Sequence, residues 1–285
     1  MRSLCTQRVV IDTPRNRAQA DPPCRKRHRP VRDSERVRAT GLAPSPLFLL
    51  LIAATGAGGA LAAYATGMAR TAGIVLLVLG GWATALCLHE FGHAVTAYRG
   101  GDRSVRAKGY LTLDIRRYTD PAMSLVLPLV LLALGGIPLP GGAVWIDRGA
   151  LRSRAIASAV ALAGPLTNLA LGAVLTAAVI LTDPPEGLAA GLSCLALVQV
   201  LAFVLNILPV PGLDGFGAVE PYLPASARRM AGRLVWYAPL LLLIVIIGVP
   251  AASDAVFGAS FALYGALGGD QLAAAEGFRE LLFWR

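Results

Sequence analysis

The sequence predicts an all-α polytopic membrane protein with about six transmembrane helices, and three observations support this fold class. Hydrophobic residues make up 55% of the 285-residue chain and charged residues only 15%, whereas roughly a quarter of the residues in a soluble domain are charged. The hydrophobic residues fall in runs long enough to cross a bilayer. Arg and Lys cluster between several of these runs, which is typical of loops on the cytoplasmic side.

Residues 1–45 form a basic tail with few hydrophobic residues, and its densest part is "RKRHRPVRDSERVR", Arg25–Arg38. Two interpretations fit this composition. The tail either binds nucleic acid or lipid headgroups, or it is disordered and keeps the N-terminus in the cytoplasm. No aromatic residues alternate with the charges, as binding to single-stranded nucleic acid would require. We therefore expect a disordered cytoplasmic tail and no nucleic-acid partner.

The transmembrane domain is predicted over residues 46–285. Its long hydrophobic runs have the length of spanning helices and cover residues 47–69, 72–98, 155–182, 187–208 and 234–250. A weakly hydrophobic run at 255–268 follows Pro250 and is expected to form a short return helix. With the N-terminus in the cytoplasm, the second and fourth runs both end on the cytoplasmic side.

A segment of another kind, Pro121–Gly142, has the sequence "PAMSLVLPLVLLALGGIPLPGG". Its apolar part spans about 16 residues, or ~24 Å of helix, which is shorter than the ~30 Å hydrocarbon core. The basic stretches Tyr98–Tyr118 and Asp147–Arg154 flank it, so both of its ends are predicted on the cytoplasmic side. We therefore predict a reentrant helix and β-loop. A bilayer tolerates such backbone only where protein or a watery cavity shields it.

The second hydrophobic run contains "HEFGH" near its cytoplasmic end. Positions i and i+4 share a helix face, so the imidazoles of His89 and His93 would lie close enough to share a metal ion. Glu90 flanks that face. This spacing is typical of zinc peptidases, in which two histidines hold zinc and the glutamate accepts a proton. A purely structural role is the alternative, but ionisable side chains at membrane depth usually serve a function.

A catalytic zinc ion usually has three protein ligands. The one remaining histidine, His28, lies in the tail, so we expect the third ligand to be a carboxylate or a cysteine. Asp214 is the best candidate, because a proline-broken helix end in "NILPVPGLDG" brings it to a matching depth. A turn role for this aspartate is the alternative. Cys87 would point away from the two histidines. The other acids near the membrane are expected to lie outside, to be solvated or to cap helices, namely Asp254, Asp102, Asp114 and Asp120.

Polar residues also occur inside the other runs. The stretch "AGPLTNL", Ala163–Leu169, contains Asn168. An amide in lipid needs partners, so Asn168 either hydrogen-bonds between helices or orients a substrate carbonyl or the oxyanion. Asn206 has the same alternatives. Gly92 either leaves room for a substrate backbone near the metal or allows close helix packing.

In this order, "HEFGH", "AGPLTNL" and "NILPVPGLDG" resemble the site-2 protease family of intramembrane zinc metalloproteases. The resemblance extends from Trp82 to Leu223, within a predicted core of residues 72–223, and includes "GGAVWID", which is similar to the family's reentrant region. It implies three zinc ligands and a catalytic base, namely His89, His93, Asp214 and Glu90. It also implies substrate-contacting or framework positions, namely Asn168, Asn206, Pro209 and Gly215.

The resemblance implies an intramembrane zinc metalloprotease that holds a single Zn²⁺ and hydrolyses peptide bonds in or near the transmembrane segments of membrane proteins. Its expected partners are such a substrate and the lipid bilayer, and its expected location is the plasma membrane. We do not expect the PDZ domain that some members carry. A metal transporter or a non-catalytic protein that binds membrane helices are the alternatives. A transporter would need ligands along a path, whereas a single cluster is visible in this sequence.

Overall fold

The computed structural model describes three stretches of the chain, residues 43–118, 144–235 and 237–284. They belong to one compact unit. Their regular structure is helical, without strands, in agreement with the predicted all-α class. Residues 1–42 of the predicted tail and the predicted reentrant segment, Pro121–Gly142, lie outside the described residues.

The described stretches contain helices of very different lengths. In chain order, the α-helices are α1 (Pro46–Tyr64), α2 (Met68–Gly100), α3 (Ser104–Ala107), α4 (Ile115–Tyr118), α5 (Arg154–Thr182), α6 (Glu186–Asn206), α7 (Asp214–Val219), α8 (Ala225–Leu234), α9 (Ala238–Gly248), α10 (Pro250–Ala266) and α11 (Gln271–Leu281). Single turns of 3₁₀-helix occur at Tyr110–Thr112, Arg148–Ala150 and Glu220–Tyr222.

Four helices of the described chain, α1, α2, α5 and α6, are long and apolar enough to cross a membrane. The bent pair α8 and α9 makes a fifth span if it is counted as one. The four long helices coincide with the first four predicted runs, whereas the total of about six crossings stays a prediction. The break between α1 and α2 comes earlier than predicted, because Gly67 adopts a φ of +57°, which favours glycine and separates the two helices.

The predicted run 234–250 contains one helix, α9, and its crossing of the bilayer stays a prediction. Helix α8 ends at Leu234, α9 begins at Ala238, and the two helix axes differ by 67°. Pro239 lies in the first turn of α9, where its missing N–H leaves no hydrogen bond unmade. Helix α9 has 11 residues, or about 16 Å, which is too short to cross a ~30 Å hydrocarbon core alone.

Helices α2 and α6 are the inner helices of the bundle. More than half of the residues in their most hydrophobic windows are buried, against less than a third in α1 and α5. Helix α1 approaches α2 closely, since a Cβ atom at Gly58 would lie 2.5 Å from the Leu77 nitrogen. A Cβ atom at Gly73 would lie 2.5 Å from the Ala62 nitrogen. These contacts require glycine and are typical of small-residue packing between membrane helices.

The loop after α2 is anchored by Asp102, which is 1% exposed. Its Oδ1 accepts a hydrogen bond from the Ser104 N–H at 2.9 Å, and its Oδ2 accepts one from the Asp147 N–H at 2.8 Å. Burial raises the pKa of Asp102, but these hydrogen bonds outweigh burial and hold the pKa below its ordinary value. Of the two roles predicted for this acid, solvated or capping, the structure supports the capping role.

Two further contacts fix the same loop. The Ser45 N–H at the start of α1 donates to the Thr112 carbonyl at 2.8 Å. Asp114 is buried and accepts two hydrogen bonds from the Arg116 guanidinium. It also accepts one from the Arg116 backbone N–H, so it too is a capping residue rather than a solvated one. Asp120, the third acid predicted here, lies outside the described residues.

The chain ends on two helices beyond α9. Helix α10 covers the predicted return helix but begins earlier, at Pro250. Helix α11 was not predicted, and it is held against the start of α2 by polar contacts. Arg70 forms ion pairs with Glu276 at 3.4 Å and with Glu280 at 3.1 Å. The Thr71 hydroxyl donates to Glu280 Oε2 at 2.5 Å.

Candidate metal centre

Helix α2 carries two buried histidines in its C-terminal third, His89 and His93. The helix runs without interruption through both, so the predicted spacing of four residues puts their rings on one face. Their Nε2 atoms are 3.1 Å apart. Cys87 is fully buried in a separate hydrophobic cluster and is not part of this group, as predicted.

Asp214 reaches the same point from a different part of the chain. After α6, Pro209 interrupts the helix and the backbone turns at Gly212, whose φ is +97°, so that Asp214 becomes the first residue of α7. Its Oδ2 lies 3.2 Å from His89 Nε2, and its Oδ1 lies 3.4 Å from His93 Nε2. The structure therefore brings together the three side chains that were predicted to share a metal ion.

The turn that presents Asp214 depends on small and buried residues. A Cβ atom at Gly215 would lie 2.6 Å from the Leu208 carbonyl oxygen and still closer to that of Ile207. Gly215 therefore allows α7 to start directly against the preceding turn. Asn206, the last residue of α6, is buried. The substrate-contacting or framework role that the resemblance implies for these positions stays a prediction.

The spacing of the three donor atoms can be compared with the geometry of zinc. Zinc bonds to nitrogen and oxygen are ~2.0–2.2 Å long, so ligand atoms at the corners of a tetrahedron lie about 3.3–3.5 Å apart. The observed separations are 3.1, 3.2 and 3.4 Å. Two imidazoles and one carboxylate are also a donor set that zinc accepts in catalytic sites. The residues present therefore fit a zinc ion with an open fourth position.

A hydrogen bond on the far side of His93 fixes the tautomer of its neutral imidazole. Its Nδ1 lies 2.7 Å from the Val160 carbonyl oxygen on α5, and a carbonyl can only accept, so Nδ1 carries a proton. In the neutral ring, Nε2 is then the nitrogen whose lone pair faces the other donor atoms. The corresponding Nδ1 of His89 is buried and has no partner among the described residues.

Helix α5 packs against the two histidines through Gly164. A Cβ atom there would lie 2.5 Å from His89 Nε2 and still closer to His93 Nε2. Gly164 was not among the predicted site residues, although it lies in the quoted "AGPLTNL". Asn168 is buried one helical turn further on, and its Oδ1 has no partner within the described part of the chain. Neither of the two roles predicted for Asn168 is decided by these contacts.

Gly92 also faces α5, and here the structure favours one of the two interpretations. A Cβ atom at Gly92 would lie 2.8 Å from Thr167 Oγ1 and 3.0 Å from the Ala163 carbonyl oxygen. The space beside Gly92 is therefore filled by α5. This supports close helix packing rather than room for a substrate backbone.

A cavity of about 580 Å³ opens beside the three donor side chains and is lined by Glu90, His93 and Asp214. Glu90 is 2% exposed. The Val144 backbone lies near its carboxylate. The Oε2 atom has no hydrogen-bond partner among the described residues. The carboxylate therefore has a free oxygen beside the candidate metal position.

The segment Val144–Asp147 has no regular secondary structure, and its first three residues line one wall of this cavity. Its carbonyl at Trp145 accepts a hydrogen bond from Lys108 Nζ at 2.7 Å, and its end is held by Asp102. The Trp145 side chain is 75% exposed. The opposite wall includes residues of α7 and α8, and an ion pair between Arg148 and Glu220 joins the two sides.

Comparisons with known proteins identify relatives along most of the chain. It is 43% identical over 256 residues to a protein of Mycobacterium tuberculosis, covering 88% of this chain and 98% of that protein. It is 42% identical over 262 residues to one of Mycolicibacterium smegmatis, covering 90% and 97%. Both are named "Putative zinc metalloprotease Rip2".

A more distant relative is YwhC of Bacillus subtilis, whose name also describes a zinc metalloprotease. It is 26% identical over 170 residues, which cover 56% of this chain and 75% of that protein. No protein-family model matches the chain, and no solved structure matches it.

Proposed function

Because this chain belongs to the site-2 protease family of zinc metalloproteases, we propose that it hydrolyses peptide bonds in or near the transmembrane segments of membrane proteins. One observation carries the proposal. The side chains of His89, His93 and Asp214 lie together, beside Glu90, within a bundle of apolar helices. Charged and metal-ligating groups are costly at that depth. Their grouping there is explained if the bond to be cut lies at the same depth.

Three side chains would hold the zinc ion, namely His89 and His93 through Nε2 and Asp214 through its carboxylate. When bound, zinc supplies Lewis acidity, which polarises a carbonyl group and lowers the pKa of water toward ~7. His93 is held for this role by its hydrogen bond to Val160. The close approach of Gly164 limits the movement of both imidazoles.

Glu90 is the general base of the proposed mechanism. Its Oε2 is free, since this atom has no hydrogen-bond partner among the described residues. The free oxygen takes a proton from the attacking water as the new C–O bond forms, and the same proton then passes to the departing amine as the C–N bond breaks. The carboxylate ends in its starting state, so the reaction consumes one water for each peptide bond cut.

The substrate backbone must be unwound to reach this carboxylate, because a helix hides its carbonyl groups in hydrogen bonds. Val144, Trp145 and Ile146 line the cavity without regular secondary structure, and backbone that is not engaged in a helix offers groups with which an extended substrate strand would pair. Asn168 is a further candidate for contact with the substrate carbonyl or the oxyanion. Its unpartnered Oδ1 would accept a hydrogen bond, whereas stabilising an oxyanion would require its amide nitrogen.

The protein is proposed to lie in the plasma membrane with its N-terminus in the cytoplasm, to cross the bilayer about six times and to carry a reentrant segment between α4 and Val144. The basic residues after α2 and before α5 support this orientation. Metal transport is the alternative activity. Within the described residues, a single group of three metal-ligating side chains is present, which favours one fixed site over a transport path.

The test of the proposed function is Glu90→Gln. We expect the fragments that the wild type releases from membrane proteins to fall by roughly 10²–10⁴-fold, because the base is lost while the zinc ligands stay. Fragment proteomics on cells that carry either form measures the release of fragments. Elemental analysis of the purified proteins measures their zinc content, which should be the same in both forms. Glu276→Gln, the same substitution far from the site, should leave both unchanged.

Two outcomes would contradict the proposal. One is that Glu90→Gln still releases the wild-type fragments while retaining zinc. The other is that the purified wild type moves zinc across proteoliposome membranes, cuts no membrane protein, and keeps that flux after Glu90→Gln.

A further inference from the structure

A second cavity, of about 350 Å³, lies between α1, α2, α5 and α6 and shares no residue with the cavity at the metal centre. Its volume is at the lower end of the ~300–1,000 Å³ of typical ligand sites. The lining is apolar apart from three polar side chains, Thr55, Thr84 and Gln199. We refer to this cavity as the intramembrane groove.

The intramembrane groove opens sideways, toward the lipid. Its floor is formed by the inner helices α2 and α6, and its rims by the outer helices α1 and α5. On the rims, Ile52 is 45% exposed and Val174 is 65% exposed. A Cβ atom added at Gly56 would meet nothing within 4 Å. A hydrophobic molecule can therefore reach the groove from within the bilayer.

The floor of the groove carries an unsatisfied hydrogen-bond donor. Gln199 is 2% exposed, and its Nε2 has no partner among the described residues. An amide N–H left unpaired in such surroundings destabilises the protein. Since Gln199 lines the groove, a ligand there that offers an acceptor would recover this loss.

The two threonines of the groove complement this donor. Their hydroxyl protons are already used within their own helices, since Thr55 donates to the Leu51 carbonyl at 2.7 Å and Thr84 donates to the Gly80 carbonyl at 2.8 Å. Each hydroxyl oxygen keeps acceptor capacity. The groove therefore presents a donor and acceptors in an apolar setting. That combination matches a peptide group, with its C=O and N–H, whereas an acyl chain offers neither.

The position of the groove relates it to the metal centre. Thr84, Ala85 and Leu88 line it from α2, and His89 follows directly on the same helix. The linings of the two cavities therefore come within two residues of each other on α2, at Leu88 and Glu90.

We propose that the intramembrane groove binds one face of the substrate's transmembrane helix, at a place where that helix exposes a peptide group, and so holds it beside the metal centre before cleavage. This rests on the proposed function. Gln199 and the two threonines receive the exposed peptide group, and the apolar lining receives the neighbouring side chains.

The test measures binding without cleavage. The probe is a fluorescent, Leu/Ala-rich single-span peptide with a central Gly-Pro pair, added to full-length, zinc-loaded Glu90→Gln protein in lipid nanodiscs. We expect Gln199→Met, which removes the amide at similar length, to weaken binding about tenfold. Gly56→Leu should weaken binding at least as much, because its side chain occupies the open rim without a clash inside the bundle.

Matched controls separate the groove from general effects. Thr176→Val alters another buried polar residue of the bundle, and Gly258→Leu adds the same side chain at another glycine with open space around it. Both should leave peptide affinity and zinc content unchanged. Retained zinc content in Gln199→Met and Gly56→Leu would show that these variants are folded.

Three results would overturn the proposal. The first is that the peptide does not bind the Glu90→Gln protein, and the second is that all variants bind it equally well. The third is that native mass spectrometry finds a phospholipid lost from Gly56→Leu while peptide affinity is unchanged, which would make the groove a lipid site. Because binding is measured in a protein that lacks the base, failure here is distinguishable from failure of the proposed hydrolysis.

Discussion

Gly164 illustrates how a residue without a side chain can determine the geometry of a metal site. It lies on the same stripe of α5 as Val160, one helical turn away, and both contact His93. The Val160 carbonyl orients the ring by accepting a hydrogen bond from its Nδ1–H, and Gly164 limits how far the ring can move toward α5. The imidazole is therefore constrained from two directions by one helix.

This arrangement predicts the effect of Gly164→Ala. The added methyl group would lie 2.5 Å from His89 Nε2 and closer to His93 Nε2, so we expect both rings to be displaced and zinc affinity to fall at least tenfold, in the range seen when residues that orient metal ligands are changed. Competition with a fluorescent zinc chelator measures the affinity. Gly172→Ala, two turns along α5, is the control, because its Cβ would come no closer than 3.0 Å to Val200. Equal zinc affinity in the two variants would contradict this account.

At the residue level, the sequence indicated which residues could bind the metal ion, but less about the residues that hold those side chains in position. The spacing of His89 and His93 and the proline-broken end before Asp214 are visible in one dimension, because both follow from local backbone geometry. The contact between Gly164 and the rings depends on how α5 crosses α2, which no local pattern encodes. The roles of Asp102 and Gly92 were left open for the same reason.

At the scale of elements, α11 is held to the bundle mainly through one buried face and one polar cluster. Arg70 on α2 pairs with Glu280 and Glu276 on α11, and with Glu186 at the start of α6 at 3.8 Å. The hydrogen bond from Thr71 is the largest influence on the pKa of Glu280. Together with Arg70 it outweighs burial and holds the pKa of Glu280 below its ordinary value.

A lowered pKa links the docking of α11 to pH. The stabilisation from Glu280 is fully present above the pKa of an unfolded glutamate, about 4.3, and is lost as pH falls through the lower pKa of the folded state. We expect Glu280→Gln to lower stability by on the order of 1 kcal/mol at neutral pH and to flatten the decrease of the Tm below about pH 4.3. Thermal unfolding in detergent across a pH series measures both.

Glu276→Gln is the comparison for this prediction, since that residue makes the longer contact with Arg70. It should lower the Tm less and leave most of the acid decrease in place. If the Tm of the Glu280→Gln protein fell with acid as steeply as that of the wild type, Glu280 would not be the group that links the docking of α11 to pH.

The helices that were predicted well are those for which a long run of apolar residues is enough to predict a membrane-spanning helix. Helices α1, α2, α5 and α6 match long hydrophobic runs, since a bilayer crossing requires about 20 apolar residues. The break before α9 has a visible signal in Pro239, but a hydrophobic run alone conceals it. Helix α11 is short and amphipathic, so its existence depends on the surface of α2 and α6 that it covers.

At the scale of the whole molecule, charge predicts orientation. The connection between α5 and α6, residues 183–185, carries an acid and no base. The segments after α2 and before α5, and helix α8, carry several arginines. Basic segments stay in the cytoplasm, so the metal centre should lie nearer to the cytoplasmic surface, and the Arg70 cluster at the opposite surface.

Cysteine labelling tests this orientation. Cysteine at Thr66 or Thr182 should react with a membrane-impermeant maleimide added to intact cells, and cysteine at Arg106 or Arg228 should react only after the membrane is opened. The native Cys87 and Cys194 are buried and should stay silent, and the two cysteines of the tail are replaced by serine beforehand. The reverse labelling pattern would contradict the proposed orientation and show the opposite one.

The packing of α1 has a consequence for how any membrane-embedded partner is admitted. One half of α1 is interlocked with α2 at Gly58 and Gly73, and its other end is tied to the loop at Thr112. We do not expect a helix held at both ends to move as a gate. The width available between α1 and α5 is therefore set in advance, so selection among candidate polypeptides would depend on their own bulk and on how readily each one unravels.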